Sequence, residues 1–135
     1  MQRLMIIAPV GDCSVGPAAS TRGWETRIAR GLDSGCWLVE RWRPDVIVLS
    51  GLVEGECEAI RSLIGIAPHV GVLIGVGAGR DAVACVRAGA NIVLGPSSYA
   101  DFLRDEEGRA LVLGAVRIAG TDRASGASSV LAPAG

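Results

Sequence analysis

Arg43-Pro44-Asp45-Val46-Ile47-Val48-Leu49-Ser50 is the stretch that decides the fold. Pro44 cannot continue a helix and restricts the residue before it, so a helix arriving from the N-terminal side ends there. Residues 46–49 form an apolar, largely β-branched run that suits a strand buried on both faces. Ser50-Gly51 closes that strand, at the carboxyl edge where open α/β sheets place their ligands. The same pattern recurs at 71–77 and at 91–95, each run preceded by a helical segment. Residues 43–96 therefore predict three strands of one parallel sheet.

The totals fit that reading. At 135 residues and 13.8 kDa, the chain is the size of one domain with an ordinary core. Half the residues are apolar, and 19 glycines suit the tight loops of an α/β fold. Charges, Gly or Pro interrupt every apolar run before the ~20 residues of a membrane span. The start, Met1-Gln2-Arg3-Leu4-Met5-Ile6-Ile7, meets Pro9, Gly11 and Asp12 too soon for a signal core and reads as a first strand. A net charge of −1, spread without blocks, gives no nucleic-acid footprint. All 13 basic residues are Arg; there is no Lys. Cys13, Cys36, Cys57 and Cys85 are dispersed, without a C-x-x-C pair or a cluster with the lone His69. They read as reduced, mostly buried thiols of a cytoplasmic protein, not as a metal site.

Taken in order, residues 4–10 are the first strand and 11–23 begin as a Gly-, Ser- and Ala-rich loop. Two readings of the next segment remain open. In one, 24–30 is a strand with Thr26 and Ile28 on one face, and Asp33 or Ser34 caps a helix over 35–42. In the other, Pro17 opens a helix with Trp24, Ile28 and Leu32 on its apolar face, and 36–40 is the strand. The first is preferred because it runs a helix into Pro44. Residues 51–55 form a loop, and 56–64 a helix with Ala59, Ile60 and Leu63 inward. A turn at Ala67-Pro68-His69 leads into a strand over 70–76. Gly75, Gly77 and Gly79 make a glycine-rich loop before a helix over 80–88, with Val83, Ala84 and Val86 toward the sheet and Gly89 as its C′ residue. The last strand is 91–94, and a final helix covers about 110–119. Residues 1–119 form the domain and 120–135 a mobile tail or linker. Right-handed βαβ crossovers give a flavodoxin-like open parallel sheet of order 2-1-3-4-5, with helices on both faces.

Several of these segments resemble the receiver domain of bacterial response regulators. Residues 43–49 look like that family's approach to its phosphorylated Asp, and Ala67-Pro68 before 70–74 looks like its fourth strand. Asp81-Ala82-Val83 through Arg87-Ala88-Gly89-Ala90-Asn91 is the closest match. The resemblance covers about 43–103 and implies a CheY-like fold. In that family acidic residues after strand 1 hold Mg²⁺, an Asp after strand 3 accepts the phosphoryl group, a Thr or Ser senses it and a Lys pairs with it. Hard oxygens suit Mg²⁺, a carboxylate is the nucleophile, and a fixed cation stabilises the charge. Here the acidic pair reduces to Asp12, the acceptor position falls on Ser50, the hydroxyl position on Val76 (or Gly75, if the loop is one residue shorter) and the Lys position on Gly95 or Pro96. The resemblance thus implies a degenerate, phosphorylation-independent pseudo-receiver that serves bacterial signalling or transcription regulation. It also implies a homodimer, paired through a face at Val83, Arg87, Ile92, Leu111 and Val116, and a protein partner or effector domain.

Cobalamin-binding domains, which share the fold, are similar in places. Asp12-Cys13-Ser14-Val15-Gly16 partly matches their first motif and Ser50-Gly51-Leu52 their second, but Ser14 stands where the axial His belongs. That keeps a small-molecule reading open, with a crevice at Asp12, Ser14, Gly16, Ser50, Leu52, Gly75 and Gly77. The G-x-G-x-G of Gly75, Gly77 and Gly79 lacks a dinucleotide spacing and reads as a tight βα turn. Ser50 lacks a G-x-S-x-G setting, and its one candidate base, His69, precedes the fourth strand. Trp24, Trp37 and Trp42 read as core packing, or as a partner surface if one is exposed. The expectation is a non-enzymatic module without cofactor or metal that acts directly on neither nucleic acid nor membrane. The Ala-, Gly- and Arg-rich, Lys-free composition points to a high-GC bacterium.

Overall fold

The computed structural model describes residues 2–8, 21–50, 56–75 and 82–125. In chain order the elements are β1 (Gln2–Ala8), β2 (Trp24–Arg30), α1 (Leu32–Trp42), β3 (Val46–Ser50), α2 (Glu56–Ile66), β4 (Gly71–Gly75), α3 (Ala82–Ala88), β5 (Ile92–Leu94), α4 (Pro96–Arg104) and α5 (Glu106–Ser125). The five strands make one all-parallel sheet in the order β2-β1-β3-β4-β5, the expected flavodoxin-like topology. Every residue of β3 and β4 is buried, as a continuous apolar run between two helical layers requires. Edge strand β2 instead alternates, with Thr26 and Ile28 half-buried on one face as expected. The second reading of this segment fails, since 24–30 is strand and 36–40 helix.

Helices α1, α2 and α3 cover one face of the sheet, over Ile7, Ile47, Leu49, Val72 and Ile74. Helices α4 and α5 cover the other, over Leu4, Ile6, Val46, Val48 and Leu73. The start of the sheet is stitched by Asp45. Its carboxylate accepts the Arg3 N–H at 2.8 Å, its own N–H donates to the Arg3 carbonyl at 2.9 Å, and its carbonyl accepts the Gly71 N–H at 3.0 Å. Arg43 ends α1 in the left-handed conformation (φ 54), its N–H donating to the Val39 carbonyl, and Pro44 then bars continuation. At the far edge Asn91 lengthens the short β5. Its backbone N–H donates to the Val72 carbonyl at 2.8 Å, and its side-chain oxygen accepts the Val72 N–H at 2.9 Å.

Several expectations are corrected. β1 begins two residues earlier than expected, at Gln2, and β4 begins one residue later, at Gly71; the expected strand residues 9, 10 and 76 lie outside the described residues. Helix α1 starts before Asp33 and Ser34; its cap is Gly31 with no side-chain hydrogen bond. On α3 the sheet-facing residues are Cys85 and Ala88, while Val83 and Val86 are exposed, because the 3.6-residue period carries 85 and 88 inward. Helix α4 adds an element that the sequence reading lacks, and α5 spans Glu106–Ser125, longer at both ends than the expected 110–119. Residues 126–135 lie outside the described residues. Of the three tryptophans Trp42 is buried, Trp24 is half-buried and Trp37 is 56% exposed. Of the described cysteines only Cys85 is buried. Among the described residues no helix is long and apolar enough to cross a membrane.

Helix α5 lies against β4 at a close crossing that two glycines permit. A Cβ on Gly71 would stand 2.2 Å from the Val116 carbonyl oxygen, and one on Gly120 would stand 2.5 Å from the Gly71 nitrogen. Backbone cannot yield as a side chain can, so Gly71→Ala and Gly120→Ala are each expected to cost about 1–3 kcal/mol in urea unfolding. Gly65→Ala on α2, where a Cβ meets nothing within 4 Å, is expected to be neutral or stabilising. Equal effects at the three sites would refute the crossing. Burial first, and the Asp33 carboxylate second, push the Cys36 thiol above its ordinary pKa. Iodoacetamide labelling of Cys36 should therefore have its midpoint above the usual thiol range, and Asp33→Asn should lower that midpoint only partly.

Candidate functional site

The carboxyl ends of β3 and β4 are the place where this topology gathers chemistry. Ser50 ends β3 directly beside Gly75, which ends β4. Ser50 is 4% exposed, and a buried hydroxyl needs a partner. Tyr99 supplies it: its phenol O–H donates to the Ser50 Oγ at 2.8 Å. The ring lies over the end of β4, so close that a Cβ on Gly75 would meet it at 2.3 Å. Gly75 is required there by this close approach.

Helix α4 places Tyr99. Gly95, at the position the resemblance gives to a Lys, is extended (φ −68, ψ 174) and serves as the N-cap, with Pro96 opening the helix. The Tyr99 N–H closes the first turn on the Gly95 carbonyl at 2.8 Å. Phe102, three residues on and on the same helix face, stacks on Tyr99 with 5.8 Å between ring centroids. Phe102 is itself buried in the cluster that contains Leu4, Ile6 and Val48, so the phenol is aimed by a ring rooted in the core.

Arg109 locks the far end of α4. It is 5% exposed; its Nε donates to the Thr21 Oγ1 at 2.7 Å, and its Nη1 to the carbonyls of Phe102 at 3.1 Å and Leu103 at 2.8 Å. A cation in the first turn of α5 opposes that helix's dipole, yet here its charge serves the C-terminal carbonyls of α4. Sequence reasoning missed Tyr99, Arg109 and Thr21. The one legible signal was Pro96, a helix-opening proline immediately after a Gly.

The chemistry these groups permit is limited. Tyr99 uses Ser50 as an acceptor and takes no proton from it. His69 precedes β4, six residues before Gly75, which at about 3.3 Å per residue puts the length of a strand between it and Ser50. The Ser50–His69 dyad is therefore absent. Among the described residues no group of three His, Cys, Asp or Glu side chains could hold a metal ion. Of the expected crevice, Ser50 and Gly75 are brought together; Asp12, Ser14, Gly16, Leu52 and Gly77 lie outside the described residues, as does Val76, the expected hydroxyl position.

The anticipated pairing face is split. Val83 and Leu111 are 59% and 77% exposed, Arg87 is exposed, and Ile92 is half-buried. Val116 is fully buried against β4 and is removed from that face: on α5 it falls three residues after Leu113, on the inward stripe.

No protein-family model matches the sequence, and no curated protein matches it. Solved structures do match the fold. NtrX from Brucella abortus, solved with ADP, superposes with a TM-score of 0.71 at 21% identity over 95% of this chain, which spans 29% of that one. The CheY-like receiver domain protein from Methanospirillum hungatei JF-1 gives 0.64 at 17% identity, covering 81% of this chain and 94% of its own. A cobalamin-binding protein from Desulfitobacterium hafniense DCB-2 gives 0.55 at 19%, covering 76% and 56%. The chain thus has the five-stranded CheY-like fold of response regulator receiver domains.

The Tyr99–Ser50 contact is testable by a double-mutant cycle. Tyr99→Phe and Ser50→Ala should each cost about 1 kcal/mol in urea unfolding, with a coupling of about 0.5–1.5 kcal/mol between them. Strictly additive losses would mean that the hydrogen bond does not hold the two ends together.

Proposed function

We propose that this chain is a receiver-like regulatory module that acts by binding other proteins and is not switched by phosphorylation. The observation that carries the reading is Ser50, a buried hydroxyl held by Tyr99 at the position the receiver resemblance assigns to the phosphoacceptor. A serine, with no base beside it among the described residues, is no substitute for a nucleophilic carboxylate, and a chain without Lys lacks the cation that pairs with the phosphoryl group in the receivers it resembles. What the fold retains is its surface, so the work falls to contacts and not to turnover. On this reading the protein is a non-enzymatic, cytoplasmic bacterial signalling component that joins an effector domain or a protein partner.

The pairing part of the proposal uses the β5 edge. Helix α3 packs on β5 from one face of the sheet and α5 on β4 from the other; α3 turns Val83 and Arg87 to solvent, and α5 turns Leu111. Exposed apolar and stacking side chains on the helix that covers a short edge strand suit a self-complementary two-fold contact. The small-molecule alternative has the cobalamin-binding neighbour's fold behind it, but Tyr99 already fills the space above Gly75.

Acetyl phosphate with Mg²⁺ should leave the intact mass unchanged, and an added mass of roughly 80 Da, that of one phosphoryl group, would overturn the phosphorylation-independent reading. Light scattering after size exclusion in high salt, where weak ion-paired contacts are screened, should find a dimer that Val83→Glu converts to a monomer. A monomeric parent protein would remove the pairing face while leaving the reading of Ser50 intact.

A further inference from the structure

Helix α4 buries Phe102 and turns Ser98 and Asp101 outward, and the start of α5 runs back beside it. Between them and the end of β5 lies a groove of about 270 Å³ whose apolar lining is Leu94, Phe102 and Val112. Asp105 stands on its rim, over Gly108, where a Cβ would come within 2.8 Å of the carboxylate. Asp101 shares the rim and pairs with Arg104, and the exposed Glu106 and Glu107 follow. The volume falls below the roughly 300–1,000 Å³ of small-molecule pockets and suits a single large side chain. The acidic rim asks that this side chain arrive with a cation.

The same chain presents such a pair. On α1, Trp37 is 56% exposed, and the Arg41 guanidinium lies over its ring at 4.2 Å from the centroid. An exposed indole carrying a cation supplies apolar area and a carboxylate ligand in one projection. α1 packs beside β1 and β2, whereas the groove is at β5, the opposite edge and the opposite face of the sheet. The two cannot meet within one molecule.

We propose that the groove between β5, α4 and α5 receives Trp37 and Arg41 of a second copy of this chain, with Arg41 against Asp105. The inference rests on the interaction-module reading. The contact is head-to-tail, so each molecule keeps a free groove and a free projection, and growth continues into chains or rings. One side chain and one ion pair make a small contact, which is weak and sensitive to salt.

Sedimentation velocity tests this in a Val83→Glu background, so that loss of the α3–α5 pairing does not alter the readout. The parent should show a sedimentation coefficient that rises with concentration beyond that of a dimer and falls back in high salt. Asp105→Arg and Arg41→Asp should each abolish the rise, with circular dichroism confirming that both fold. Their equimolar mixture should regain the rise, because every contact then pairs an acidic with a basic partner: the unaltered groove with the unaltered projection, and the two charge-reversed ones with each other. A parent that stays monomeric throughout the series overturns the proposal and leaves the groove to another basic, aromatic partner. Association that survives either substitution overturns it as well.

Discussion

Burial of β1, β3 and β4 on both faces is the constraint from which the rest follows. Leu4–Ala8 and every residue of β3 and β4 are withdrawn from water, so each face of the sheet must be roofed along its length. α1, α2 and α3 do this on one side. On the other, α5 reaches β4 only because Gly71 and Gly120 let backbone approach backbone. α4 completes the cover by sinking Phe102 among Leu4, Ile6 and Val48. The helix that carries Tyr99 is thus fixed by core packing before any question of function arises.

That origin explains the character of the site. Tyr99 points at Ser50 because Phe102 is rooted in the core and because Arg109 holds the last carbonyls of α4. The phenol satisfies a hydroxyl that would otherwise be buried without a partner, and its ring fills the room that Gly75 leaves. At the position the receiver resemblance gives to the phosphoacceptor stands Ser50, bonded to this phenol, and the proposed phosphorylation independence rests on that pair. The same helix turns its other side to solvent and, with α5, shapes the groove at β5. One helix therefore both holds Ser50 and shapes a surface.

The strands were legible because β-branched runs such as Val46-Ile47-Val48 admit few alternatives, and because Pro44 and Gly89 punctuate them. The sheet order followed from the alternation of strands and helices. α4 was not legible: Pro96-Ser97-Ser98 reads as loop, and its helix is secured by Phe102 packing against strands far away in sequence. The orientation of α3 was misread since both Val83 and Val86 are apolar, and only packing against α2 selects Cys85 and Ala88. In α5 apolar residues occur all round, so the pattern could not separate buried Val116 from exposed Leu111. Ser50 was found through the receiver resemblance, but its partner lies 49 residues on, beyond any local signal.

The most direct test of the central claim follows the backbone amides of Ser50, Gly75 and Tyr99 by ¹⁵N NMR while Mg²⁺ and beryllium fluoride, a phosphoryl mimic, are added. The account predicts that these resonances stay in place, because Tyr99 already bonds Ser50, a serine stands at the acceptor position and the chain has no lysine to hold the mimic. Saturable shifts centred on the ends of β3 and β4 would contradict it and would restore the chain to the phosphoryl-responsive receivers.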